Sequence, residues 1–213
     1  MLKLGVLISG GGTNLQALID NQHKFVDTSI ELVVSNKDSY GLVRASRAGI
    51  ENLYIDPKNF RSQEEYNRKL LEEFKSREIN FIVLAGYLKI LSKDFVEGFK
   101  GKIINIHPSL LPSFSGDGFY GDRVHRAVLE SGETETGATV HFVDKGIDTG
   151  PIILQGKVAI EEGETVKSLK AKVLELEHEI LVEVVRLVSE GNLELSKNNT
   201  VKLGCKYEEK SYY

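Results

Sequence analysis

Apolar and polar positions fall in blocks whose period changes along the chain. Leu2–Ile8 is a short apolar, β-branched run, followed by Ser9-Gly10-Gly11-Gly12-Thr13-Asn14 and an amphipathic Leu15–Gln22. That order predicts strand, tight loop and helix. The succession then recurs. Ile30–Ser35 reads as a strand, Tyr40–Ala48 as a helix ended by Gly49, and Leu53–Ile55 as a short strand ahead of Pro57. Tyr66, Leu70, Leu71 and Phe74, with charges between them, predict a helix over Ser62–Glu78. Phe81–Ala85 is continuously apolar, as suits a strand buried on both faces of a parallel sheet, and Lys102–Ile106 resembles it.

Strands alternating with helices in this way predict βαβ units: an α/β fold with an open, mostly parallel, Rossmann-like sheet and helices on both faces. The second half changes style. It offers a helix at Asp122–Ser131, a strand at Ala138–Val143, a turn-rich Asp144–Gly150, a strand at Ile152–Ile160 and a long helix from Glu164 to Ser189. Val166, Leu169, Val173, Leu176, Ile180, Val184 and Leu187 form a stripe along that helix, at steps of three and four, that would pack on the sheet. No internal repeat or interdomain linker interrupts residues 1–190, which are expected to form one catalytic domain. Residues 191–213 are expected to add an edge strand at Leu193–Leu195 and a polar tail.

Composition narrows the classes. The 213 residues are 41% hydrophobic and 27% charged, a balance that excludes disorder, collagen and coiled coil. Cys205 is the single cysteine, so an intramolecular disulfide or a thiolate zinc cage is excluded and a reducing cytoplasm is expected. The apolar start is too short, and too soon broken by glycines, for a signal peptide or anchor, and no run approaches a membrane span. A net charge of −4 gives no footprint for a phosphate polymer, so small substrates are expected rather than nucleic acid or membrane.

Three segments could carry chemistry. The Ser9–Asn14 loop ends a strand and opens a helix, where backbone N–H groups and the helix dipole can hold a phosphate. It lacks the Lys-Ser/Thr of a Walker loop, and Leu15 stands where a dinucleotide loop wants glycine or alanine, so a monophosphate suits it best. The plainer reading is a tight turn with Thr13 or Asn14 capping the helix. In Ile104-Asn105-Ile106-His107-Pro108, period-two geometry puts the Asn105 amide and the His107 imidazole on one face at a strand's carboxyl end. There His107 can act as general acid or base and Asn105 can donate to an oxyanion; alternatively, His107 is a satisfied turn residue. Asp148, in Gly146-Ile147-Asp148-Thr149-Gly150-Pro151, is either an Asx-turn residue or a carboxylate that raises the pKa of His107 and selects its tautomer. With no Gly-x-Ser-x-Gly elbow present, such a trio predicts direct transfer to an external nucleophile.

Those segments, with Leu84-Ala85-Gly86-Tyr87-Leu88-Lys89-Ile90-Leu91, Asn105-Ile106-His107-Pro108-Ser109-Leu110-Leu111-Pro112 and Val140-His141-Phe142-Val143, resemble the short, monofunctional phosphoribosylglycinamide formyltransferases over about residues 2–190. The His-Pro-Ser-Leu-Leu-Pro block is shared by the wider 10-formyltetrahydrofolate-using group, whereas the Gly-Thr-Asn-Leu-Gln opening is more specific to the acceptor. The resemblance implies transfer of the formyl group of 10-formyltetrahydrofolate, as cosubstrate, to the amine of glycinamide ribonucleotide, through a tetrahedral intermediate and without a metal. This is the third step of de novo purine synthesis. It further implies that Asn105 steadies the oxyanion, that His107 manages protons and that Asp148 orients and charges His107, partly through water. Gly12, Thr13, Asn14 and Glu177 would bind the ribonucleotide. Leu88, Lys89, Ile90, Leu91, Asn105, Val143, Asp144 and Ile147 would line the folate pocket. Read without the resemblance, Leu88–Leu91 is plain core and Glu177 a solvated helix position. A monomer or a homodimer is expected.

The chain departs from the family pattern twice. Ser62-Gln63-Glu64-Glu65-Tyr66 has glutamine where many relatives carry a basic residue, and the loop over Ser113–Asp122 is longer than usual and receives no catalytic assignment. His23, His125, His141 and His178 lack neighbours at metal spacing and receive no role either. Two alternatives remain. A formyltetrahydrofolate hydrolase would keep the same trio but carries a regulatory domain ahead of the catalytic one, whereas here the first strand starts at Leu2. A non-catalytic nucleotide-binding module would use only the glycine loop and sheet edge.

Overall fold

The structure is a computed structural model that describes residues 1–196 and 198–204. Cys205 and the tail beyond it lie outside the described residues. The described residues form two compact units, Met1–Asn105 and a second that begins at Ile106.

In the first unit the parallel strands β1 (Leu2–Ile8), β2 (Thr28–Ser35), β3 (Asn52–Tyr54), β4 (Phe81–Leu84) and β5 (Ile103–His107) lie in the order β3-β2-β1-β4-β5. The winding reverses between β1 and β4, the position at which open α/β sheets bind ligands beyond their strand ends. Helices α1 (Thr13–Asp20), α2 (Tyr40–Arg47) and α3 (Gln63–Ser76) fall where the apolar periodicity places them, within two residues at most ends. α3 is capped by Ser62, whose hydroxyl accepts the Glu65 N–H, and it buries Tyr66, Leu70 and Phe74. Gly5 in β1 lets Phe74 approach: a Cβ there would lie 2.9 Å from its ring. A short helix, α4 (Lys93–Gly98), has no counterpart in the sequence reading. Six residues are too few to show a period, although Ser92 caps it and Phe95 and Val96 are buried.

β5 runs from the first unit into the second, and the sheet order continues to β6 (Glu135–Phe142) and β7 (Ile152–Ala159), which are antiparallel. The sheet is therefore mostly parallel, as expected, with seven strands. α5 (Asp122–Ser131) follows the long loop, and α6 (Val166–Ser189) is the predicted long helix. Thr165 and Ser168 form a capping box at its start. Its buried face includes Leu169, Val173, Ile180, Val184 and Leu187. Leu176 is only half-buried and lies over Gly156, where a Cβ would come within 2.5 Å of its side chain. Leu193–Leu195 is a strand, β8; it pairs with β9 (Val201–Leu203) in a separate two-stranded sheet.

Candidate active site

In the first unit the glycine loop is shaped by close backbone approach. Gly12 caps α1 in the left-handed conformation, φ +70°, and a Cβ on it would lie 2.7 Å from the Gly41 Cα. α2 grips the loop from that side: the Gly41 N–H donates to the Gly10 carbonyl at 3.2 Å and Arg44 Nε to the Gly11 carbonyl at 2.8 Å. Gly10 and Gly11 are exposed, with nothing within 4 Å of an added Cβ. Thr13 and Asn14 lie inside α1, no side chain caps it and its first turn holds no acidic residue. Gly12, the N-cap, has no side chain to offer, so neither Thr13 nor Asn14 is the cap, and a helix start of this kind is a place where an anion can be held.

The Leu88–Leu91 segment also belongs to this unit. Leu91 is buried, but Leu88 and Ile90 are 47% and 53% exposed, so plain core does not describe them. The segment is tethered by the Leu88 N–H to the Ser9 hydroxyl at 2.8 Å and by Gln63 Nε2 to the Ile90 carbonyl at 2.6 Å. Gln63, in the place of the usual basic residue, therefore holds backbone.

In the second unit His107 is buried at the end of β5, on the strand face it shares with Asn105, which is half-buried. Its Nε2 lies 2.9 Å from the Phe114 carbonyl and its Nδ1 3.6 Å from Asp148 Oδ2. Both partners are acceptors, so a neutral ring satisfies one and an imidazolium satisfies both. Burial nevertheless dominates: it pulls the His107 pKa down, the Asp148 charge and the Phe114 carbonyl only partly oppose it, and His141 adds to the lowering. The expectation that Asp148 raises the pKa of His107 thus holds for that one interaction but not for the sum.

Asp148 takes the left-handed conformation, φ +56°, which aspartate tolerates better than most side chains. It is not the Asx-turn residue. Asp144 has that part: its Oδ1 accepts the Gly146 N–H at 2.9 Å and the Thr149 hydroxyl at 2.7 Å. Gly150 closes the turn so tightly that a Cβ would lie 1.8 Å from the Phe142 carbonyl oxygen. Asp148 is left to face His107, His141 and the Gly116 N–H, which donates to Oδ2 at 3.1 Å. Burial pushes its carboxyl up, and the nearby His141 ring, the His107 charge and the Gly116 N–H outweigh that, leaving the pKa below the usual carboxylate value.

Two contributors escaped the sequence reading. His141 is buried, with Nδ1 2.8 Å from the Phe142 carbonyl and Nε2 3.7 Å from Asp148 Oδ1. A search by metal spacing passes over it; its place at the end of β6, just ahead of the turn carrying Asp148, was the usable signal. The long 113–121 loop supplies backbone: the Phe114 carbonyl for His107 and the Gly116 N–H for Asp148. Phe114 and Gly116 have φ of +53° and +88°, a path that side-chain patterns do not announce. His125, on α5, is buried, and its Nδ1 has no hydrogen-bond partner among the described residues. Burial first, then the Lys170 charge, lowers its pKa to about 4.

Glu177 is buried on α6, so the solvated reading does not hold. Val143, Asp144 and Ile147 are half-buried around the same turn as Asp148. Among the described residues no group of three or more His, Cys, Asp or Glu side chains could hold a metal ion, and no helix is long and apolar enough to cross a membrane.

Known proteins resemble this chain in both sequence and fold. Residues 2–185 match the family described as formyl transferase, and the chain belongs to that family. Similar proteins include the phosphoribosylglycinamide formyltransferase of Haemophilus influenzae, 42% identical over 100% of this chain and 99% of that one. The enzyme of the same name from Escherichia coli is 40% identical over 92% of each. Glycinamide ribonucleotide transformylase 1 from Symbiobacterium toebii superposes with a TM-score of 0.89 at 40% identity, over 96% of this chain and 94% of that one.

Proposed function

We propose that this formyl transferase moves the formyl group of 10-formyltetrahydrofolate to the amine of glycinamide ribonucleotide, the third step of de novo purine synthesis, with residues 1–190 acting as one catalytic domain in the cytoplasm. The observation that carries the reading is the buried His107 held against Asp148 on the Asn105 strand, in a chain so similar to enzymes named for this reaction. The ribonucleotide phosphate is assigned to the N–H groups around Gly12, Thr13 and Asn14, and its sugar or glycinamide part to Glu177. The exposed apolar side chains of Leu88 and Ile90, with Lys89, Leu91 and the 143–147 turn, are assigned to the folate.

In this scheme the amine attacks the formyl carbon; a C–N bond forms and the carbonyl electrons move to oxygen, where the Asn105 amide donates. His107 accepts a proton from the attacking nitrogen. Its Nδ1 is the atom assigned to that exchange, because Nε2 is tied to the Phe114 carbonyl at 2.9 Å while the Asp148 contact is looser. Burial keeps the ring neutral and able to accept at neutral pH, and Asp148, ionised, favours the imidazolium that results. The oxyanion electrons then re-form the carbonyl while His107 returns the proton to the folate nitrogen, so that the old C–N bond breaks and tetrahydrofolate leaves. The test is tetrahydrofolate release by the purified protein with and without glycinamide ribonucleotide, the product mass being checked for one added formyl group. Release only with the ribonucleotide is expected. Equal release without it would identify a hydrolase, and no release in either case, from folded protein, would point to a binding module.

A further inference from the structure

Ser9 directly follows β1 and is 5% exposed. Its hydroxyl donates to Asn36 Oδ1 at 2.5 Å and accepts the Leu88 N–H at 2.8 Å. Asn36, itself buried, follows β2, and Leu88 lies four residues beyond β4. With the order β2-β1-β4, one hydroxyl joins segments leaving three adjacent parallel strands, and its bond to Leu88 crosses the point at which the winding reverses. On one side Ser9 is the root of the glycine loop, whose next two residues are exposed. On the other it holds the backbone of a segment whose Leu88 and Ile90 side chains stand open. Two other tethers at that segment and its end, Gln63 to the Ile90 carbonyl and Asn67 to the Ser92 N–H, come from α3.

We propose that Ser9 is a positioning residue that couples the two substrates: an anion held by the glycine loop fixes its root and, through the buried hydroxyl, stiffens the Leu88–Leu91 wall for the folate. This rests on the assignment of phosphate to residues 12–14 and of folate to residues 88–91. A link of this kind acts in both directions, because coupling free energies between ligands are reciprocal. Glycinamide ribonucleotide and tetrahydrofolate provide a pair that cannot react, since neither carries the formyl group. Calorimetric dissociation constants, measured for each ligand alone and in the presence of the other, are expected to show mutual tightening of about fivefold or more in the wild type. In Ser9→Ala the factor is expected to fall below about twofold, with each ligand alone binding within about threefold of wild type. Amide exchange in the wild type is an independent reading. The ribonucleotide alone is expected to slow exchange at the Leu88 N–H, a response that a purely structural serine would not give. Coupling that persists in Ser9→Ala, or a Leu88 amide indifferent to the ribonucleotide, overturns the proposal. Absence of binding by either ligand to wild-type protein would instead remove the substrate assignment beneath it.

Discussion

Gly12 and Asp148 both hold left-handed backbone, and the two regions around them reach a fixed shape by opposite means. Around Gly12 the shape depends on an absent side chain: Gly12 meets Gly41 backbone to backbone, and the polar contacts that hold the loop come from α2 to its carbonyls. Gly10 and Gly11 stay exposed there, which suits a ligand recognised by charge and size. Around Asp148 the shape depends on polar bonds. Asp144 ties the turn, and Asp148 meets two histidines and an N–H. Such a network is costly to leave partly satisfied, and within it the pKa values of His107 and Asp148 are both lowered. The proposed scheme assigns binding to the first region and proton transfer to the second, and substitutions should separate them.

The largest separation is expected at the histidine centre. His107→Ala or Asp148→Ala should lower turnover at saturating substrate by on the order of 10²–10⁴, the usual worth of a general acid–base group, while ligand binding at the glycine loop is retained. Steady-state kinetics together with calorimetry of ribonucleotide binding would check this. Near-normal turnover in either variant, with binding intact, would exclude the assigned proton transfer.

The glycine loop should respond in stability and binding rather than in chemistry. Gly12→Ala places a Cβ 2.7 Å from backbone at a φ that alanine resists, so it is expected to cost about 2–4 kcal/mol and to weaken ribonucleotide binding. Gly11→Ala, with open space and a φ outside the left-handed region, should stay within about 0.5 kcal/mol of wild type. Urea midpoints for the pair give the comparison. Equal losses would mean that the Gly12–Gly41 approach does not decide the loop's shape.

This contrast also explains what could be read from the sequence. Strand runs such as Leu2–Ile8, and helices such as α3 and α6, carry their period and their caps within the segment, so they fall where the pattern puts them. Glycine at position 12 and the Asn105–His107 spacing are local features too. The members of the Asp148 network are not. His141, the Phe114 carbonyl and the Gly116 N–H are brought to the centre by tertiary path, two of them by backbone whose direction no residue type announces. The identity of the Asx-turn residue, Asp144 rather than Asp148, likewise needed the loop's conformation.

The smallest expected effect concerns a histidine that the proton-transfer scheme leaves unused. His125 is buried, faces the charges of Lys170, Asp122 and His107, and has its pKa lowered to about 4, against about 6.5 for an exposed imidazole. As pH falls, the unfolded chain therefore takes up this proton before the folded one does, so stability rises with pH between those values. The contribution is complete above about pH 6.5 and is lost as pH falls toward 4, to the extent of about 2–3 kcal/mol. The lowered pKa of His107 acts in the same direction, and that of Asp148 also does, in the acid range below the normal carboxylate pKa. His125→Gln should therefore leave a shallower decline in urea midpoint from pH 7.5 to pH 5 than wild type shows. Parallel declines in the two proteins would mean that His125 takes up its proton without unfolding, and would shift the acid sensitivity of this unit onto His107 and Asp148.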